Sequence, residues 1–181
     1  VKVGTTGGVS FTDEVLTSAA VVTADVPASN GVVHVIDKVL VPPGVLNVVQ
    51  LAQLNPSFST LVGAVVDAGL VSTLSDASAD FTVFAPVNAA FEAIASTVAA
   101  LTPTQLGQVL TYHVLDTQVR AADIPFGTPV TTVLGQSITI NAGTPPTITD
   151  TTATPAGIVA TDVRASNGVI HVIDKVLLPA L

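Results

Sequence analysis

Apolar and polar positions follow two rhythms along this chain. Between residues 48 and 66 the apolar side chains recur at helical intervals: Val48, Val49, Leu51, Ala52 and Leu54, then Phe58, Leu61, Val62, Val65 and Val66. That spacing predicts two helices, the second opened by Pro56-Ser57 and closed at Gly69. Phe81-Thr-Val-Phe-Ala85 reads as a strand stopped by Pro86, and Asn88 is placed to cap a short helix carrying Phe91 and Ile94. Thr102-Pro-Thr-Gln105 has the form of a capping box. Thr and Gln each satisfy the other's free backbone amide, and Pro sits where a helix needs no N–H. From about Val114 the rhythm changes to short strands separated by Gly, Pro and Thr. Ser137 to Asn141 alternates, and two further runs flank Asn167-Gly168, a dipeptide suited to the positive φ angles of a hairpin turn. Helices first and strands afterwards make the class α+β.

The chain also repeats itself. Ala28-Ser-Asn-Gly-Val-Val-His-Val-Ile-Asp-Lys-Val-Leu40 returns 137 residues later as Ala165-Ser-Asn-Gly-Val-Ile-His-Val-Ile-Asp-Lys-Val-Leu177. At the same offset Ser10-Phe-Thr-Asp13 falls on Thr147-Ile-Thr-Asp150, Asp25 on Asp162, Val3 on Ile140 and Pro42 on Pro179. A period this long is that of a whole domain, far above the roughly 20–50 residues of a solenoid unit. Residues 45–181 are therefore read as one complete repeat. Residues 1–44 are read as the C-terminal part of a preceding repeat plus its linker, Val41-Pro-Pro-Gly44, stiffened by two prolines.

Composition narrows the function. Of 181 residues only 10% are charged, with a formal net charge of −8 and a mean hydropathy of +0.70. High hydropathy with low charge density excludes a disordered chain. The bases Lys2, Lys38, Arg120, Arg164 and Lys175 are scattered singly, so there is no basic patch for nucleic acid or an anionic membrane. Every apolar run is broken by Pro, Gly, Asp or Gln before it could cross a bilayer. Without cysteine there are no disulfides, no thiolate zinc sites and no cysteine nucleophile. Starting at Val1 with no Met, the chain is expected to derive from a longer precursor. Its low-charge, Thr- and Ser-rich surface leans toward an exported bacterial protein, or one buried in an assembly.

These motifs resemble the fasciclin (FAS1) domain family. Phe81-Thr-Val-Phe-Ala-Pro-Val-Asn-Ala-Ala-Phe91 is similar to the family's first conserved block, with Val87 where Thr is frequent. Tyr112-His113 stands where the family has its tyrosine–histidine pair, and Ala165 to Pro179 is similar to the second block. The resemblance covers residues 45–181, and residues 1–44 resemble the end of a preceding FAS1 domain. It implies a wedge of two β-sheets with helices packed around them. It also implies a secreted or cell-surface module for adhesion, matrix or biofilm attachment, in tandem copies, with protein or glycan partners and neither enzymatic activity nor a cofactor.

Catalytic and ligand-binding alternatives find little support in the residues themselves. Tyr112 and His113 are the candidate binding residues, because the family pair is linked to adhesion-receptor contact. The competing reading has Tyr112 filling the core with its hydroxyl bonded, and His113 tying a loop to a strand. No Arg-Gly-Asp is present. His171 shares a strand face with Val169 and Ile173, and Asp174 falls on the opposite face, which precludes a His-Asp dyad within the strand. Gly-x-Ser-x-Gly is absent, and three histidines with dispersed acids make neither a zinc nor a calcium site. Gly4-Thr-Thr-Gly-Gly8 lacks the Lys of a phosphate-binding loop. Two function classes remain: a non-catalytic adhesion module, which can also self-associate through residues 1–44, and a glycan- or small-molecule-binding module using a crevice between sheet and helices.

Overall fold

A computed structural model describes residues 1–5, 9–13 and 16–181. Part of the Gly4-to-Gly8 stretch lies outside the described residues. The chain opens with four strands, β1 (Lys2–Gly4), β2 (Ser10–Thr12), β3 (Ser18–Ala28) and β4 (Gly31–Ile36), paired in that order as an antiparallel sheet. Helices follow: α1 (Val48–Leu54), a 3-10 turn at Pro56–Phe58, α2 (Ser59–Asp67) and α3 (Val71–Leu74). Strand β5 (Phe81–Pro86) leads into α4 (Asn88–Glu92), α5 (Ala95–Ala100) and α6 (Pro103–Tyr112). The remaining strands are β6 (Val114–Leu115), β7 (Pro129–Thr131), β8 (Ser137–Asn141), β9 (Thr147–Thr149), β10 (Ala156–Ala165) and β11 (Gly168–Ile173).

The strands after residue 80 run in the order β6-β5-β11-β10-β9-β8-β7. β10 is shared between two arms. Its first residues, Ala156 and Gly157, pair with β9, and from Ile158 onward it pairs with β11, with two register shifts between Ile158 and Val163. The β5–β11 pairing is parallel, from Gly168 opposite Phe81 to Ile173 opposite Pro86. Helices and two sheets make this an α+β fold, as the sequence pattern implies.

Among the described residues two hydrophobic clusters hold it. One joins Val48, Leu51 and Phe58 of the helical layer to Val83, Ile170 and Val172 of the sheet. The other gathers Phe84, Tyr112, Leu115, Ile138, Ile140 and Ile173. β11 lies between them and is buried at all six residues. Phe84, Phe91, Leu110, Val172 and Val176 are all buried.

Local chemistry explains the helix ends. The Thr102–Gln105 capping box forms as the sequence indicates, and Asn47 with Gln50 makes a second one at α1. Asn88 differs from expectation. Val87 is the cap residue of α4, and the Asn88 side chain instead serves α2: it accepts from the Thr60 amide and donates to Pro56 O and Ser59 Oγ. The final hairpin differs by one residue. Ala165 pairs with Gly168, so Ser166-Asn167 forms the turn. Gly168 is required for another reason. Its φ is +149°, and a Cβ there would overlap the Phe81 carbonyl of the adjacent strand.

Candidate functional site

Tyr112 and His113 lie at the junction where α6 ends and β6 begins. The capping box fixes the start of α6, and its apolar face, with Val109 and Leu110, turns Tyr112 inward. Tyr112 is fully buried and its hydroxyl donates to Ser137 O at 3.0 Å, at the start of β8. His113 is buried too and is bonded on both ring nitrogens. The Leu177 amide donates to Nε2 at 2.8 Å, which leaves Nδ1 to carry the proton and donate to Val109 O at 2.7 Å. Its carbonyl accepts from the Phe84 amide at 2.9 Å. Two adjacent residues thus bind α6, β5, β8 and the C-terminal segment together.

Electrostatics keeps this junction neutral. Burial pulls the His113 imidazole down to about 4, against weaker upward pulls from Val109 O and the Asp150 carboxylate. Burial, aided by Asp150, pushes the Tyr112 hydroxyl up. Asp150 itself stays ionised. Burial alone would raise its pKa, but the Lys175 ammonium 2.8 Å away, the Thr152 hydroxyl and the amides of Leu178 and Thr152 outweigh that and lower it. Both side chains are buried, and the hydroxyl and both ring nitrogens are bonded within the domain.

The other candidates are also framework. His171 is buried, with Nδ1 accepting from the Asp162 amide and Nε2 directed at Val119 O, 2.8 Å away. Burial lowers its pKa. Asp174 accepts from the Gly157 amide at 2.7 Å and does not meet His171 in any hydrogen bond or ion pair that joins their side chains. Among the described residues no group of three or more His, Asp or Glu is arranged to hold a metal ion, and no helix is long and apolar enough to cross a membrane.

One residue that periodicity misses is Asn167. It is buried, its Oδ1 accepts from the Val48 amide at the start of α1, and its Nδ2 donates to Leu74 O and Asp76 O, each at 2.9 Å. A turn signal is all the sequence offers at this position. Its partners lie about ninety or more residues away in sequence, beyond any local pattern.

Comparison with known proteins bears on the fold and the family. The Fasciclin domain model matches residues 1–42 and 56–179. Protein sll1483 of Synechocystis sp. is 41% identical over 143 residues, covering 75% of each chain. The transforming growth factor-beta-induced protein ig-h3 of Sus scrofa is 37% identical over 164 residues, 89% of this chain and 23% of that protein. The cell surface glycolipoprotein MPB83 of Mycobacterium bovis is 35% identical over 136 residues, 71% of this chain and 58% of its own. A FAS1 domain pair from the insect cell adhesion molecule Fasciclin I superposes with a TM-score of 0.71 at 23% identity, covering 98% of this chain and 66% of that one. With the two conserved blocks, the Tyr-His pair between them and both sheets in place, the chain belongs to the fasciclin family.

Proposed function

We propose that the protein is a non-catalytic adhesion or matrix module, secreted or held at a bacterial cell surface, and one link of a tandem-repeat, biofilm- or fibre-forming chain. Residues 45–181 serve as its complete domain, and residues 1–44 as the C-terminal part of a preceding repeat with its linker. One observation carries this reading. The chain holds the strand-forming segment of a fasciclin domain twice, and the first copy exposes apolar side chains, including Val32, Val33, Val35 and Val39. Exposed apolar strands favour association over a solitary life in solution. Protein or glycan partners meet the exterior of the molecule. Tyr112 and His113 serve binding by holding the framework that presents that exterior.

Two measurements test this. Beads coated with the chain should support attachment of cells or matrix, and light scattering should show mass growing with concentration. Beads that attach nothing beyond an albumin control would sink the adhesion reading. A chain that stays monomeric at high concentration would sink self-association.

The glycan- or small-molecule alternative can draw on an enclosed site among the described residues. Between α1, α2 and the sheet lies a cavity of about 40 Å³ whose lining side chains are all aliphatic, among them Val49, Leu61, Val65 and Leu110. Such walls offer a sugar no hydrogen-bond partner, so the lining favours a small apolar ligand. A saturable thermal shift with an apolar compound, absent with monosaccharides, is the outcome this second reading requires.

A further inference from the structure

Every pairing among β8, β9, β10 and β11 is reproduced in residues 1–44. β1 pairs with β2 in the register that β8 uses with β9, Val3 opposite Phe11 matching Ile140 opposite Ile148. β3 pairs with β4 in the register of β10 with β11, including both register shifts. The side-chain bonds recur as well. His34 Nδ1 accepts from Asp25 N as His171 does from Asp162 N, and Asp37 accepts from Ala20 N as Asp174 does from Gly157 N. Asp25 and Asp162 even share a left-handed backbone, at φ 57° and 60°.

What differs is the outer side of the last strand. β11 is flanked there by β5, whereas among the described residues β4 ends its sheet. Three residues of the first copy are nevertheless those that grip the neighbour in the second. Gly168 must lack a Cβ because the Phe81 carbonyl lies against it, while Gly31 has nothing within 4 Å of where its Cβ would be. Asn167 anchors α1, the end of α3 and Asp76 just after it, whereas Asn30 is exposed. His171 reaches Val119 O just beyond β6, whereas His34 stands at the surface. Ile170 and Val172 pack beneath the helices, and their equivalents Val33 and Val35 are exposed.

We infer that the open edge of β4 is a strand-acceptor site for the helix-rich first half of a second fasciclin domain, one equivalent to residues 48–119 and without its own β11. Its central strand, with the chemistry of Phe-Thr-Val-Phe-Ala-Pro, lies parallel to β4 with its first Phe opposite Gly31 and its Pro opposite Ile36. This is the pairing of β5 with β11 carried back by one repeat. Backbone hydrogen bonds supply affinity and the alternating side chains supply register, as in other cases of strand addition. A second intact copy of this chain is a poorer occupant. Its Phe81–Pro86 is already paired on both sides, so taking it would expose one β11 for each β4 covered. The inference deepens the reading of residues 1–44 as an association segment.

The test uses the full chain and a synthetic peptide with the sequence of residues 79–88. Saturable binding is expected, with hydrogen-exchange protection gained along β4. A spin label on the peptide's N-terminus should broaden the signals of Asn30 and Gly31, and one on its C-terminus those near Asp37. Gly31→Ala meets only open space in the free protein yet blocks the incoming strand, so it should weaken binding by about tenfold or more, the scale of a clash of 1–2 kcal/mol. Val33→Lys, at an exposed position, should weaken it similarly, while Val159→Lys on β10 should not. No binding, an antiparallel peptide, or unchanged affinity in Gly31→Ala would overturn the inference. So would a chain that dimerises through β4 while ignoring the peptide, although self-association would then stand. Peptide binding by a chain that stays monomeric would support the acceptor site and sink self-association alone.

Discussion

β4 and β11 carry the same residues except that Val33 stands where β11 has Ile170, yet β4 is exposed over most of its length and β11 is buried throughout. The hairpins they belong to share register, bulges and side-chain bonds. Backbone conformation is therefore set within the segment, by Asp side chains that close on nearby amides and by the alternation of apolar residues. Burial is set outside it, by β5 and the helical layer. Strand formation and core membership are separable properties here. The duplicated segment is a controlled experiment in which only the second is changed.

The widest test of that contrast removes what covers β11. Phe84 is 1% exposed and its ring stands 5.7 Å from that of His171. Phe84→Ala should cost about 3–5 kcal/mol in chemical denaturation, the usual price of emptying a buried aromatic site. Val35→Ala on β4 should stay within about 0.5 kcal/mol, as for other exposed positions. A loss below about 1 kcal/mol for Phe84→Ala would mean that β5 does not hold β11 in the core.

Acid should weaken the covered half. His113 is neutral in the fold with a pKa lowered to about 4, whereas an unfolded histidine titrates near 6.5. Below about 6.5 the unfolded chain binds the proton first, so stability falls as pH drops and levels off below about 4. The change for His113 alone is about 3 kcal/mol over that window. His171, also lowered by burial, pulls the same way. Unfolding free energies measured from pH 7 to pH 4 check this, and a flat profile would show that His113 is not held neutral.

The twin asparagines give a narrower contrast. Asn167→Ala strands the Val48 amide and the carbonyls of Leu74 and Asp76, and should cost about 2–3 kcal/mol. Asn30→Ala, at an exposed turn, should cost no more than about 0.5 kcal/mol. Equal losses would mean that the turn itself, common to both copies, is what asparagine stabilises.

How much of this was legible beforehand follows the same division. The helices at 48–66, the Thr102 capping box and the strand at Phe81 are local patterns, and sequence spacing places them correctly. The repeat and the two blocks identify the family. Three features resisted. Asn88 looks like a helix cap because its type suits one, but its partners at Pro56, Ser59 and Thr60 lie a helix away. Gly168 looks like a turn glycine, while its absent Cβ actually makes room for Phe81. Tyr112 and His113 stand out by type alone, and only the fold reveals that Ser137, Leu177 and Val109 saturate them. Each depends on contacts made after the chain has folded back on itself.

The smallest expected effect concerns that pair. Tyr112→Phe keeps the buried ring and deletes one bond, from its hydroxyl to Ser137 O. Such a deletion should cost about 1 kcal/mol. The ring keeps its place in the cluster that holds Ile138 and Ile140, so the core stays filled. Attachment by the variant, measured on coated beads and scaled to its folded fraction, should then match the parent. That outcome fits a pair that binds α6 to the sheets and touches no partner. A fully stable Tyr112→Phe variant that no longer supports attachment would reverse the assignment. It would place the hydroxyl in a contact surface that opens only when a partner arrives, and the covered half of the molecule would then carry the binding chemistry assigned here to its exterior.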